Sequence, residues 1–146
     1  MQYNRIKQSG FSLIEIMVVV VIISVLAGLI APNIIGRADD SRVTAAEVDL
    51  KRIAQALDAY KLDNHRYPST DQGLQALITE PEGFPPAKNW RKGGYIQTRE
   101  VPQDPWGTEY QYLTPGTDGP YDLYSLGADG REGGEEYDTD ISVWDK

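Results

Sequence analysis

Residues 11–31 read FSLIEIMVVVVIISVLAGLIA, an apolar run of 21 residues with a single formal charge. A bilayer core about 30 Å thick is crossed by roughly 20 such residues in a helix rising about 1.5 Å per residue. No other stretch of the 146-residue chain is both long and apolar enough for this. The run divides the chain into ten polar residues before it and 115 after it, enough for one small domain. Its one charge is Glu15. An ionised carboxylate near the middle of a membrane costs roughly 2.5–3.5 kcal/mol, and no Lys, Arg or His inside the run neutralises it. Two readings stay open: Glu15 reaches for water at the interface, or its partner lies on another molecule.

The ten leading residues carry Arg5 and Lys7. Positive charge before a spanning segment keeps that end cytoplasmic and sends the remainder across. The run exceeds the 7–15 apolar residues usual for a cleaved secretory signal, and no Ala-x-Ala site closes it, so it reads as a signal anchor. There is no cysteine, so no disulfide can staple the domain beyond it. The net charge of −8 argues against nucleic acid as a partner.

Pro32 follows the run and predicts a bend or loosened turn over residues 28–32. Helical periodicity then resumes. Val43, Ala46, Leu50, Ile53, Ala54, Leu57 and Tyr60 form one apolar stripe, opposite Arg42, Glu47, Asp49, Lys51, Arg52, Asp58 and Lys61. Glu47 and Lys51 stand at i,i+4 as a helix-supporting pair. The helix should end near Asp63 or Asn64, before Tyr67–Pro68. Ser69 or Thr70 can cap a short helix over residues 71–78. Trp90, in a loop rich in Gly and Pro, reads as a packing anchor. Residues 104–107, Asp-Pro-Trp-Gly, form a turn signal. Strands are expected over 109–113 and 121–126, separated by the turn at 114–120. The fold class is α+β: a long N-terminal helix, membrane-spanning in its first half and amphipathic in its second, packed on a small antiparallel sheet.

Residues 127–141 read GADGREGGEEYDTDI, with four glycines and clustered acids. A loop of this length needs more than local forces to order it. A hard cation such as calcium, which takes six to eight oxygens, would neutralise and organise it. An EF-hand fits poorly: with Asp129 first, Gly134 and Asp140 fall in place, but Arg131 and Gly133 stand where that motif asks for carboxylates. Another calcium loop, using Asp129, Asp138, Asp140 and Glu136, stands against a solvated acidic tail. No pattern of catalysis occurs. His65, the only histidine, sits at a helix end in a capping or surface role, and no nucleophile elbow, phosphate loop or zinc signature is present.

Gly10 followed by Phe11-Ser-Leu-Ile-Glu15 after a short basic leader resembles the type IV prepilin signature. Ala31-Pro-Asn33, Asp104-Pro-Trp-Gly107, Ser125-Leu-Gly-Ala-Asp-Gly130, Gly133-Gly-Glu135 and Asp140-Ile141 resemble the major pseudopilins of type II secretion systems. The resemblance implies a leader at 1–10, a transmembrane and filament-core helix at 11–31, and a periplasmic domain at 32–146. A prepilin peptidase would cut after Gly10, and Phe11 would become the N-methylated N-terminus. Loss of Arg5 and Lys7 takes the side-chain balance from −8 to −10. Glu15 would pair with the amine of Phe11 on a neighbouring subunit of a helical homo-oligomer. The resemblance also implies calcium at Asp129 and Asp140, with Asp138 and Glu136 as further candidates and the backbone carbonyls of Leu126 and Arg131 as additional ligands. Its implied partners are minor pseudopilins, an inner-membrane platform protein and an assembly ATPase. The subunit would be anchored in the inner membrane, and the assembled pseudopilus would be periplasmic. Alternative readings are a type IV major pilin for adhesion or motility, and a membrane-anchored binding module without a filament.

Overall fold

Ser12 supplies the first structural signal. Its hydroxyl accepts from the Glu15 amide at 3.2 Å, while the Glu15 carboxylate accepts from the Ser12 amide at 3.4 Å. This reciprocal pair satisfies amides that a helix start leaves without partners. Helix α1 follows over Leu13–Asn64, 52 residues. The structure, a computed structural model, describes residues 11–117 and 119–145, with the side chains of 28–37 excepted. The helical backbone runs on through Pro32, so the loosened turn expected there is not a break in the helix. A proline removes one amide donor while its fixed φ remains helical. At the far end, His65 takes a left-handed φ of 61° and its amide donates to the Lys61 carbonyl at 2.7 Å. That is the geometry of a helix stop, and it agrees with the capping role read from the sequence.

The chain divides within α1 into two units, Met1–Ala38 and Asp39–Lys146. In the first, the described side chains from Phe11 to Ala27 are all exposed, Phe11 at 79% and Val21 at 60% among them. Among the described residues no helix is long and apolar enough to cross a membrane. The expected span at 11–31 extends past Ala27 into positions whose side chains lie outside that description.

The second unit is built on the amphipathic part of α1. Ala46, Leu50, Ile53, Ala56, Leu57 and Tyr60 are buried, with Val43 and Ala54 half-buried. The expected stripe is therefore present, widened by Ala56. The core continues through Leu74, Ala76, Leu77, Ala87, Tyr110, Tyr112, Tyr121 and Leu123. Trp90 packs edge-on against Tyr95 and donates Nε1 to the Ala76 carbonyl at 2.8 Å, the anchoring role expected of it. The ion pairs on the outer helix face are Asp39–Arg42 at 2.7 Å and Asp49–Arg52 at 3.2 Å, both i,i+3; Glu47 and Lys51 do not form the pair expected of them.

Two elements differ from expectation. In place of a helix over 71–78 there is only a 3-10 turn, Leu74–Leu77. Gly73, at φ 56°, takes the left-handed conformation that stops an α-helix from passing through. Ser69 does cap locally, but on the preceding turn, where its hydroxyl accepts from the Gln72 amide at 3.2 Å. The strands are shorter than their sequence runs: β1 is Gln111–Leu113 and β2 is Asp122–Ser125. A third, β3, is Ile141–Ser142, and the antiparallel order is β1-β2-β3. Tyr112 faces Leu123 across the first pair, and Ser125 faces Ile141 across the second.

Candidate functional site

The acidic loop is the connection between two paired strands. Because Ser125 and Ile141 are opposite one another, its two ends are fixed at neighbouring points on the sheet edge. Local bonds shape what lies between. The Ala128 amide donates to the Tyr137 carbonyl at 2.9 Å and closes the neck of the loop. Asp129 Oδ1 accepts from the Arg131 amide at 3.0 Å, turning the first limb. Asp140 Oδ2 accepts from the Gly133 amide at 3.1 Å, tying the last acid to the middle of the loop. Gly127, at φ 67°, lies so close to the opposite limb that a Cβ there would stand 2.8 Å from the Thr139 carbonyl oxygen. Only glycine fits both its conformation and that approach.

The expected ligands are not all brought together. Among the described residues no group of three or more His, Cys, Asp or Glu side chains is arranged to hold a metal ion. Asp129 and Asp140 are each held by loop amides. Glu136 lines the groove that faces α1, beside Val43 and Lys51, and Asp138 is exposed. Arg131 contributes its amide to Asp129, and Leu126 sits between the buried Ser125 and Gly127. One atom stands apart. Asp140 Oδ1 is buried without a hydrogen-bond partner. A buried carboxylate oxygen left unpaired is costly, and a cation relieves it. The donors at hand are all oxygens, the chemistry a hard ion such as calcium prefers. The loop's negative field reaches the sheet: burial, then the carboxylates of Glu132, Asp140 and Asp122, raise the Tyr124 hydroxyl above its usual value.

A short 3-10 turn, Glu136–Asp138, breaks the expected irregularity of the loop. Within it, Tyr137 donates its hydroxyl to Asp40 Oδ1 at 3.0 Å and so ties the loop to α1. Sequence reading missed this contact, because residues 97 positions apart leave no local signal. The Ser12–Glu15 pair was missed as well, although Ser-x-x-Glu before an apolar run is the capping-box signal that marks it. That pair gives Glu15 an intrachain partner, a third alternative to water and to another molecule. Gly10 lies outside the described residues.

Comparison with known proteins places the chain in two steps. Residues 5–31 match the prokaryotic N-terminal methylation motif, the mark of a pilin-like class. Residues 33–144 match the model of type II secretion system protein G. A type II secretion system core protein G of Pseudomonas aeruginosa is 60% identical over 142 residues, covering 97% of this chain and 99% of the relative. Those of Vibrio cholerae and Escherichia coli are 51% and 49% identical, each over 94% of this chain and 92% of the relative. The crystal structure of the major pseudopilin from the type 2 secretion system of enterohaemorrhagic Escherichia coli aligns with a TM-score of 0.67 at 43% identity. It covers 77% of this chain and 95% of that one. The chain belongs to the type II secretion system protein G family. This supports the secretion reading over an adhesion pilin or an isolated binding module, and the family is one of structural subunits.

Proposed function

We propose that the chain is the major subunit of a periplasmic pseudopilus that drives export of folded proteins across the outer membrane. A prepilin peptidase removes residues 1–10, and Phe11 is then N-methylated. Residues 11–31 first anchor the precursor in the inner membrane and afterwards form the filament core. Minor pseudopilins, a platform protein and an assembly ATPase serve its growth. The observation that carries this reading is the exposed apolar face from Leu13 to Leu26 with Glu15 as its only charge, in a chain whose relatives are secretion core proteins. Burying that face against neighbours removes apolar surface from water or lipid, and a heterologous head-to-tail contact that does not close yields a helical filament.

In the filament Glu15 leaves its local contact with Ser12, which is exposed and long at 3.4 Å, for the amine of a neighbouring Phe11. There the donor is an ammonium and the acceptor a carboxylate, so both partners are ionised, whereas the Ser12 amide is neutral. The acidic loop holds calcium through Asp129 and Asp140, with carbonyls of Leu126 and Arg131 and, on loop rearrangement, Asp138 or Glu136. The unpaired Asp140 Oδ1 supports this. Bound there, the ion supplies positive charge that offsets the loop's acids. Replacing Glu15 with Ala tests the assembly role. The expected outcome is normal membrane insertion with loss of filaments, seen by shearing and sedimentation, and loss of secretion. Filaments at wild-type level in that variant would overturn the reading.

A further inference from the structure

Asp104, distant in sequence from the acidic run, is 5% exposed, and Ser125, at the base of that run, is fully buried. Asp104 Oδ1 accepts from the Trp106 amide at 3.0 Å and the Thr108 amide at 2.8 Å, so the turn at 104–108 closes around its own carboxylate. The other oxygen, Oδ2, accepts from the Ser125 hydroxyl at 2.6 Å. A carboxylate can only accept, so the serine must spend its single proton there. Its lone pairs are then turned towards the Gly127 amide, which donates to Ser125 Oγ at 3.3 Å. Gly127 is the point where the two limbs of the loop meet, against Asp138 and Thr139. The same turn also touches the first limb, since a Cβ on Gly130 would lie 3.4 Å from Thr108 Oγ1.

We infer that Asp104 and Ser125 are positioning residues that hold the neck of the acidic loop, and the limb carrying Asp140, in place before any ion arrives. The buried Asp104–Ser125–Gly127 relay fixes Leu126 and Gly127 from beneath, and the Gly127 contact fixes the limb that carries Asp140. Pre-organisation of this kind strengthens binding by removing the ordering cost from the binding step. The inference rests on the calcium reading above.

The test is calcium titration by calorimetry on the full-length chain in detergent micelles, with magnesium as control. Wild type, Ser125→Ala, Asp104→Asn and Tyr112→Phe are compared. Tyr112→Phe removes an equally buried bond, from the Tyr112 hydroxyl to the Pro68 carbonyl at 2.9 Å, away from the loop. The expected result is calcium binding at least about tenfold weaker in Ser125→Ala and Asp104→Asn, worth about 1.4 kcal/mol, and unchanged in Tyr112→Phe. Hydrogen exchange on the ion-free protein should show faster exchange over 127–140 in the first two variants only. Should Ser125→Ala fail to fold, Asp104→Asn keeps the side-chain volume and carries the test. Wild-type affinity and wild-type exchange in both variants would overturn the positioning role alone. Absence of calcium binding by the wild type would overturn the calcium reading and the inference with it.

Discussion

Within helix α1 the same backbone serves two surroundings. From Leu13 to Ala27 every described side chain is exposed and the residues are apolar nearly all round. From Asp39 to Asn64 the pattern splits: Ala46, Leu50, Ile53, Leu57 and Tyr60 are buried at less than 3% exposure, while Arg42, Lys51 and Arg52 face solvent. A helix apolar on all sides needs a cover from outside itself, whereas one with a single apolar stripe supplies its own polar face. The second region finds that cover in its own domain, whereas the first has its apolar side chains exposed.

Substitutions should separate the two regions clearly. Leu57→Ala, at a fully buried core position, should cost about 2–5 kcal/mol through lost transfer energy and the cavity left behind. Chemical denaturation of the full chain in detergent, read by tyrosine and tryptophan fluorescence, measures this. A loss below about 1 kcal/mol would show that the stripe is not the support of the domain.

High pH should strike the second region alone, since residues 11–27 contain no tyrosine. Burial raises the hydroxyls of Tyr110, Tyr112 and Tyr121 above their usual value, and burial with the bond to Asp58 raises Tyr67 to about 12. The folded chain therefore keeps protons that the unfolded chain releases from about pH 10. This stabilisation is whole below pH 10 and falls as pH climbs towards 12 and beyond. Melting temperature should drop across that window, and Tyr112→Phe should flatten the slope. A profile identical in that variant would remove the buried tyrosines from the explanation.

The smallest effect belongs to the first region. Val20→Ala leaves the isolated subunit within about 0.5 kcal/mol of wild type, as expected of an exposed site. Its cost should emerge only on assembly, as a lower yield of sedimentable filament. A change in monomer melting as large as that of Leu57→Ala would erase the distinction between the two regions.

What the sequence revealed follows the reach of its signals. The stripe from Ala46 to Tyr60 is periodic and local, so it could be read directly, and so could the turn at Asp104–Gly107. The short helix over 71–78 failed because one left-handed glycine, Gly73, outweighed the propensities on either side. Strand β3 was not placed, because two residues, Ile141 and Ser142, carry no period; pairing with β2 makes them a strand. At the acidic loop the residue types were legible, but their arrangement was not. Asp140 is tied to Gly133, Tyr137 to Asp40, and Ser125 to Asp104. Each tie joins positions that only the folded chain brings together.

The chain has no cysteine, so one introduced at Val20 takes a spin label at a single site. Its accessibility to oxygen and to a polar nickel complex should be measured in membranes before assembly and again in sheared filaments. The expected result is oxygen access alone in the membrane, then access to neither in the filament, with spectra broadened by labels on neighbouring subunits. Access to the nickel complex in the filament, without broadening, would contradict a filament core formed by the apolar half of α1.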